Sequence, residues 1–65
     1  MEQKASPEWV GKRIRLIEMK DTDPVPSGTE GTITRVDTRM NVVEVDWDID
    51  RSLSICPDID KFEFI

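Results

Sequence analysis

Polar and apolar residues alternate along most of the chain after residue 9, which is the spacing of β-strands that bury one face. The clearest run is 42–48, where Val43, Val45 and Trp47 point to one side and carboxylates occupy the positions between them. The run 32–36 is rich in β-branched residues, which favour strands. The pattern predicts five short strands, over residues 11–19, 32–36, 42–48, 51–56 and 61–65.

A long interruption separates the first two strands. Residues 20–27 predict a loop longer than a tight hairpin, because Pro24 and Pro26 lack the backbone donor that a ladder needs. Gly28 and Gly31 follow, and each is expected to supply either a positive φ or a close backbone approach that a Cβ would block. We therefore interpret these prolines and glycines as the structural turn that leads into the second strand.

Three shorter breaks complete the pattern. Residues 37–41 predict a polar hairpin loop, and residues 57–60 predict a single 3₁₀-like turn. Between them, Ile49-Asp50 predicts a turn without glycine, so either Asp50 takes the left-handed conformation or the turn is wider than two residues.

These elements predict an all-β fold, a small five-stranded SH3-like barrel with a long first loop and a 3₁₀ turn before the last strand. Sixty-five residues allow one hydrophobic core, which we assign to residues 9–65. Residues 1–8 are expected to form a flexible arm, in which Ser6 can cap a short turn that has Pro7 at its first position.

Composition narrows the function. The chain contains no histidine and a single cysteine, so it lacks the commonest general base and metal ligand and can form no internal disulfide. We therefore expect a protein that is not an enzyme and uses no cofactor or metal. The net charge of -5 disfavours nucleic acid as a general partner. Because no apolar run is long enough for a membrane span and no signal peptide is evident, we expect no membrane association and a cytoplasmic location.

Basic residues form a candidate binding stripe. Arg13 and Arg15 share one face of the first strand, and pairing with the second strand is expected to bring Arg35 close. Three guanidinium groups together could hold a phosphate or a carboxylate; the alternative is cross-strand pairing with the abundant aspartates and glutamates. Lys12 belongs to the same stripe, and the candidate residues for a ligand or partner are Trp9, Arg13, Arg15, Met19, Lys20, Arg35, Arg39 and Arg51.

Two short motifs resemble binding sites but are better interpreted as structural. The Gly-x-x-Gly spacing at 28–31 matches a nucleic-acid-binding loop that joins two helices, but here prolines and a strand flank it. Asp46, Asp48 and Asp50 have the spacing that opens a calcium-binding loop, yet Arg51 stands where the glycine is required. We interpret the aspartates as a solvated strand edge with Arg51 as their partner.

The aromatic residues and the cysteine argue against two further functions. Recognition of proline-rich peptides needs a groove of exposed aromatic rings, but Trp47, Phe62 and Phe64 are expected in the core, which leaves only Trp9 free. Cys56 has no histidine to activate it, so burial as a small apolar side chain is the better interpretation.

Several blocks of the sequence match a known family in order. They are Gly-Lys-Arg-Ile-Arg-Leu-Ile at 11–17, Asp-Pro-Val-Pro at 23–26, Gly-Thr-Glu-Gly-Thr-Ile at 28–33, Val-Asp-Trp-Asp at 45–48 and Arg-Ser-Leu at 51–53, followed by Pro57, Asp60, Phe62 and Ile65. From residue 11 to 65 the chain resembles the small bacterial and phage proteins grouped as domain of unknown function 4314. The resemblance implies an SH3-like fold and an origin in bacteria, phages or mobile elements, and it implies no established activity.

One departure and one further likeness accompany this resemblance. The family tends to place an Asn-Gly type of turn after the Trp-Asp pair, where this chain has Ile49-Asp50. The block at 28–33 is also similar to the KOW-type motif of ribosomal and transcription-factor barrels.

The expected function is therefore a non-catalytic binding or assembly module whose partner is another protein or a second copy of the chain. The alternative is a binder of an anionic ligand, either a nucleotide signal or a nucleic acid, that uses the strand arginines; by analogy with small phage proteins, such a binder could serve in counter-defence.

Overall fold

Four antiparallel strands form one sheet in the computed structural model, which describes residues 4–65. They are β1 (Arg13–Glu18), β2 (Glu30–Asp37), β3 (Val42–Trp47) and β4 (Lys61–Phe64). Their order across the sheet is β3-β2-β1-β4. The prediction of a small all-β domain is confirmed, and these four strands lie where the alternation of the sequence placed strands.

The inner face of the sheet builds the core. Ile14 of β1 lies opposite Gly31 of β2, which in turn lies opposite Trp47 of β3, so these residues share one face. The side chains between them point to the outer face, which carries most of the charge. The buried apolar residues are Ile14, Leu16, Met19, Val25, Ile33, Val43, Val45, Trp47 and Ile55.

Three of these core residues, Met19, Val25 and Ile55, come from outside the strands. Val25, in the middle of the long loop, is 1% exposed, so its side chain fixes the loop to the core. Met19 is 8% exposed. The prediction that Met19 contacts a partner is therefore wrong: the chain turns inward at the end of β1, and the thioether fills the core.

The two glycines of the structural turn have different requirements. Gly28 has a φ of +91°, which favours glycine, and its N–H donates to the carbonyl of Leu16 at 2.7 Å. Gly31 has ordinary backbone angles, but a Cβ there would lie 2.7 Å from Cγ1 of Val45. Each of the two predicted reasons for a glycine thus applies at one position. Pro24 and Pro26 are exposed on either side of the loop's buried valine.

The predicted fourth strand, residues 51–56, is not confirmed as a regular strand. The segment makes one isolated bridge to β3, in which Val43 and Ile55 exchange backbone hydrogen bonds of 2.9 and 2.8 Å. The ladder does not continue because the carbonyl of Leu53 accepts instead from Nε1 of Trp47, at 2.9 Å. A side chain has taken the acceptor that a regular strand would offer to β3.

The turn before this segment is the wider of the two predicted alternatives. Asn41 is the one non-glycine residue with a positive φ in the part of the chain that the structure describes, so Asp50 is not left-handed. The N–H of Arg51 donates to the carbonyl of Ile49 at 2.7 Å, and an irregular segment follows.

A buried aspartate closes the fold before the last strand. The carbonyl of Cys56 accepts from the N–H groups of Ile59 and Asp60, at 2.9 and 2.8 Å, so the turn contains the bond between residues three apart that a 3₁₀-like turn makes and a second bond between residues four apart. The carboxylate of Asp60, 7% exposed, accepts from the backbone N–H of Lys20 at 2.8 Å and of Cys56 at 2.9 Å. It therefore fastens the long loop to this turn.

A short 3₁₀ helix, Pro7–Trp9, precedes the sheet. Ser6 caps it through its side-chain oxygen and proline occupies the first turn, as the sequence predicts. The N–H of Ala5 donates to Oδ1 of Asn41 at 2.7 Å. The first three residues of the predicted arm lie outside the described residues, and its flexibility stays a prediction.

Candidate functional site

The outer face of the sheet carries a row of alternating charges, here called the charge ladder: Asp48, Arg13, Glu30, Arg15 and Glu63. Arg13 donates to both oxygens of Asp48, at 2.9 and 2.6 Å, and lies 3.5 Å from Glu30. Arg15 lies 3.3 Å from Glu30 and 3.1 Å from Glu63. Each guanidinium group is therefore held between two carboxylates. Both arginines follow the predicted alternative, in which they pair across strands with aspartates and glutamates.

The pKa values within the charge ladder follow these contacts. The hydrogen bond to Asp48 raises the pKa of Arg13, and the hydrogen bonds to Glu63 and Glu30 raise the pKa of Arg15. In return, the guanidinium group of Arg13 lowers the pKa of Asp48 below its usual value of 3.8. Because all of these groups are exposed to solvent, the pairs set geometry and register more than they stabilise the fold.

The other candidate arginines lie apart from this row. Arg35 bonds Glu44 of β3 at 2.6 Å, so it does not converge with the arginines of β1. Arg51 donates to the carbonyl of Asp23 at 2.6 Å and lies 3.5 Å from its carboxylate. The predicted pairing of Arg51 with the aspartates of the third strand is therefore wrong, since it braces the long loop.

Four cations make no ion pair with any residue between 4 and 65. Lys20 is not among them, since its ammonium group lies 3.7 Å from Glu18 and its backbone bonds the buried aspartate. The four unpaired cations are Lys4, Lys12, Arg39 and Lys61.

Three aromatic rings meet at one end of the sheet. Trp9 packs edge-to-face against Phe62 and Phe64, with centroid distances of 5.8 and 5.3 Å, and the two phenylalanines are 5.5 Å apart. The prediction that Trp9 is free is wrong, because an indole beside the last strand gains from this packing. Phe64 was expected inside, yet 43% of it is exposed.

An apolar surface surrounds these rings. We name it the aromatic end and define it as Trp9, Val10, Phe64 and Ile65. Val10 and Ile65 are each 51% exposed. A pocket of about 310 Å³ opens here, lined by Trp9, Lys12, Arg13, Phe64 and Ile65. It combines an apolar floor with the unpaired ammonium group of Lys12, so it can accept an apolar group that has an anionic neighbour.

A second pocket, of about 270 Å³, lies between the edge of β3 and residues 51–54. Its lining is mostly polar, and Arg51, which is already tied to the long loop, occupies part of it. It offers no aromatic surface, so the aromatic end is the stronger candidate site.

The cysteine, the possible metal ligands and the helices were the remaining candidates for chemistry or membrane insertion. Cys56 is partly buried, and burial, with Asp60 and Asp58 nearby, raises the pKa of its thiol above the usual 9.0. Residues 4–65 contain no cluster of histidine, cysteine, aspartate or glutamate arranged to hold a metal ion. Over the same residues, no helix has the length and apolar character needed to cross a membrane.

Sequence reasoning found Trp9 and the basic residues but missed Val10, Phe64 and Ile65 as surface. The alternation of the sequence correctly assigns Phe64 to the inner face. It cannot show that nothing covers the inner face at this end of the sheet. A usable signal was present, because three of the four aromatic residues lie near the two ends of the sequence, outside its central strands.

The comparisons with known proteins place the chain in a family. A family model described as Domain of unknown function (DUF4314) matches residues 7–65, so the chain belongs to this family. The resemblance inferred from the sequence blocks is thereby confirmed. Neither the curated proteins nor the solved structures include a match to this chain.

Proposed function

We propose that this member of the DUF4314 family is a non-catalytic protein-interaction module that binds its partner at the aromatic end. The observation that carries the proposal is the pocket of about 310 Å³ between Trp9, Lys12 and Phe64. Aromatic rings at the centre of an exposed apolar surface are typical of the residues that dominate protein–protein binding energy.

The exposure of this surface supports a protein partner. Phe64 and Ile65, which line the pocket, are 43% and 51% exposed, and Val10, next to Trp9 in the chain, is also 51% exposed. Apolar surfaces of this kind in small domains often mark interaction sites. Lys12 adds a positive charge at the rim, which in a chain of net charge -5 distinguishes this end from most of the surface.

We also propose that the domain is an SH3-like barrel, with residues 51–56 acting as its fourth strand. The isolated bridge between Val43 and Ile55 supports this, because it adds that segment beside β3. The spatial order would then run from residues 51–56 through β3, β2 and β1 to β4. The resemblance to small bacterial and phage proteins supports a bacterial, phage or mobile-element origin and a cytoplasmic location.

Capture of a partner with surface variants tests the proposal. Val10→Asp puts a charge on the aromatic end without opening the core, since Val10 is exposed. Met40→Asp is the matched control, because Met40 is 71% exposed on the β2–β3 hairpin. Proteins from a bacterial lysate that bind the immobilised wild-type chain and the control, but not Val10→Asp, would support the proposal. Retention of the same proteins by all three chains, or by none, would contradict it.

The alternative of an anionic-ligand binder receives less support. Of its five arginines, Arg13, Arg15, Arg35 and Arg51 already have carboxylate neighbours, so a phosphate would have to displace them. A fluorescent single-stranded oligonucleotide and a labelled nucleotide are suitable probes. Binding that weakens with salt and is lost in Arg15→Ala would favour this alternative.

A further inference from the structure

One edge of the sheet is open. β4 is the last strand in the order β3-β2-β1-β4, and it pairs with β1 alone. The N–H of Ile65 donates to the carbonyl of Arg13 at 3.1 Å. Because backbone groups alternate in direction along an antiparallel strand, those of Phe62 and Phe64 point away from β1. No hydrogen bond from another described residue reaches these four backbone groups.

The side chains of β4 limit what can pair with this edge. Lys61 and Glu63 lie on the outer face, on either side of Phe62. In an antiparallel pair of two β4 strands, a two-fold axis at Phe62 places Lys61 of one copy opposite Glu63 of the other, twice. An axis at Glu63 or at Lys61 would instead place like charges opposite one another, which is unfavourable.

The charge ladder continues in the register centred on Phe62. Glu63 already contacts Arg15 on one side, at 3.1 Å, and its other side faces the open edge. Lys61 makes no ion pair within residues 4–65. In this register, Lys61 of the second copy fills the open position beside Glu63. Each Lys61–Glu63 contact then joins the charge ladder of one copy to the β4 strand of the other.

We infer that the β4 edge binds the β4 edge of a second copy of this chain, in the antiparallel register centred on Phe62. The contact is isologous, so both copies use the same four residues and the assembly closes at two. It extends the sheet through backbone hydrogen bonds, with Phe62 and its symmetry mate adjacent on the inner face. Because the strands are short, the dimer is expected to be weak and to depend on protein and salt concentration.

Charge complementation between two variants tests this register. Lys61→Glu places glutamates opposite one another in its homodimer, and Glu63→Lys places lysines opposite one another in its own. A one-to-one mixture pairs a strand with two glutamates against a strand with two lysines, so both contacts become attractive. We expect each variant alone to associate on the order of ten-fold more weakly than the wild type, and the mixture to recover a heterodimer.

Sedimentation equilibrium gives the association constants, and native mass spectrometry identifies the heterodimer from its mass. Lys4→Glu is the matched control, since Lys4 is also unpaired but lies outside β4, and it should associate like the wild type. Thermal unfolding of Glu63→Lys checks that the loss of its contact with Arg15 leaves the domain folded. Slower exchange of the Phe62 and Phe64 amide protons at high protein concentration would locate the contact on this edge.

Several results would overturn the inference. A wild-type chain that stays monomeric at millimolar concentration, single variants that dimerise like the wild type, or a mixture that fails to recover association would each do so. The inference deepens the proposed interaction module. Phe64 belongs to both surfaces, but the dimer uses the backbone of β4 and the outer-face charges of Lys61 and Glu63, whereas the aromatic end uses apolar side chains around the pocket. Val10→Asp should leave the β4 dimer intact, and Lys61→Glu should leave binding at the aromatic end intact, so the two proposals can fail separately.

Discussion

A substitution at Asp60 should lower the stability of the fold by removing two identified hydrogen bonds. Its carboxylate accepts two backbone hydrogen bonds, from Lys20 at 2.8 Å and from Cys56 at 2.9 Å. The two donors are 36 positions apart in the chain, since one opens the long loop and the other opens the turn before β4. Asp60→Asn keeps nearly the same shape but turns one acceptor oxygen into an amide that faces an N–H donor.

The expected loss follows from these two contacts. A hydrogen bond to a charged group contributes about 1.5–3 kcal/mol when it is shielded from water. Since both donors lie near the surface and can regain water, we expect Asp60→Asn to lower the free energy of unfolding by about 2 kcal/mol. A domain of this size has roughly 3–10 kcal/mol in total, so the loss is a substantial fraction.

Urea denaturation, followed by the fluorescence of Trp9 and Trp47, measures this change. With an m-value near 1 kcal/mol/M, the midpoint should fall by about 2 M at unchanged slope. Asp50→Asn is the matched control, because Asp50 is exposed and accepts no hydrogen bond from another described residue. The reasoning is refuted if the two variants unfold at the same urea concentration.

Three further changes test other parts of the structure. Gly31→Ala should lower the free energy of unfolding by about 1–3 kcal/mol in urea titrations, because its Cβ would lie 2.7 Å from Cγ1 of Val45; an unchanged midpoint would contradict this packing. Asp48 has a lowered pKa through its hydrogen bond to Arg13, so its stabilising contribution is present above pH 3.8 and is lost as the pH falls through the lower folded value. Asp48→Asn should therefore reduce the fall in stability between about pH 5 and pH 2, and a fall as steep as in the wild type would argue against the pair. Cys56, whose pKa burial raises above 9.0, should react with iodoacetamide more slowly in the folded chain than in urea, as followed by mass spectrometry; equal rates would show that burial does not protect it.

Sequence alternation predicted the strands well where the pattern alone determines pairing, and failed where a side chain competes with the backbone. In the run 42–48, alternate residues are buried, as expected. Residues 51–56 have a strand-like composition, but the indole of Trp47 takes the carbonyl of Leu53. Val25 escaped prediction for a related reason, since two prolines mark a loop and do not show that the residue between them reaches the core.

The candidate site was less predictable because it depends on register and on which strands lie at the edges. Placing Arg13 and Arg15 on one face required only the period of a strand. Identifying Glu30 as their shared partner requires the offset between β1 and β2, which a long and irregular loop sets. The aromatic end depends on which part of the inner face is left uncovered by other elements. The residue types of Phe64 and its neighbours do not reveal this.

The charges on the edges of the sheet limit which strands can add to it. The β3 edge is covered by residues 51–56, through the bridge at Ile55. On the β4 edge, Lys61 and Glu63 repel a second β4 in the two adjacent registers and attract it in the one centred on Phe62, so charge favours that pairing over its neighbours. Since that pairing is symmetric, it consumes both open edges and leaves none for a third copy. In the proposed dimer, Lys61 on the edge strand therefore opposes the addition of strands in other registers and stabilises one closed pair.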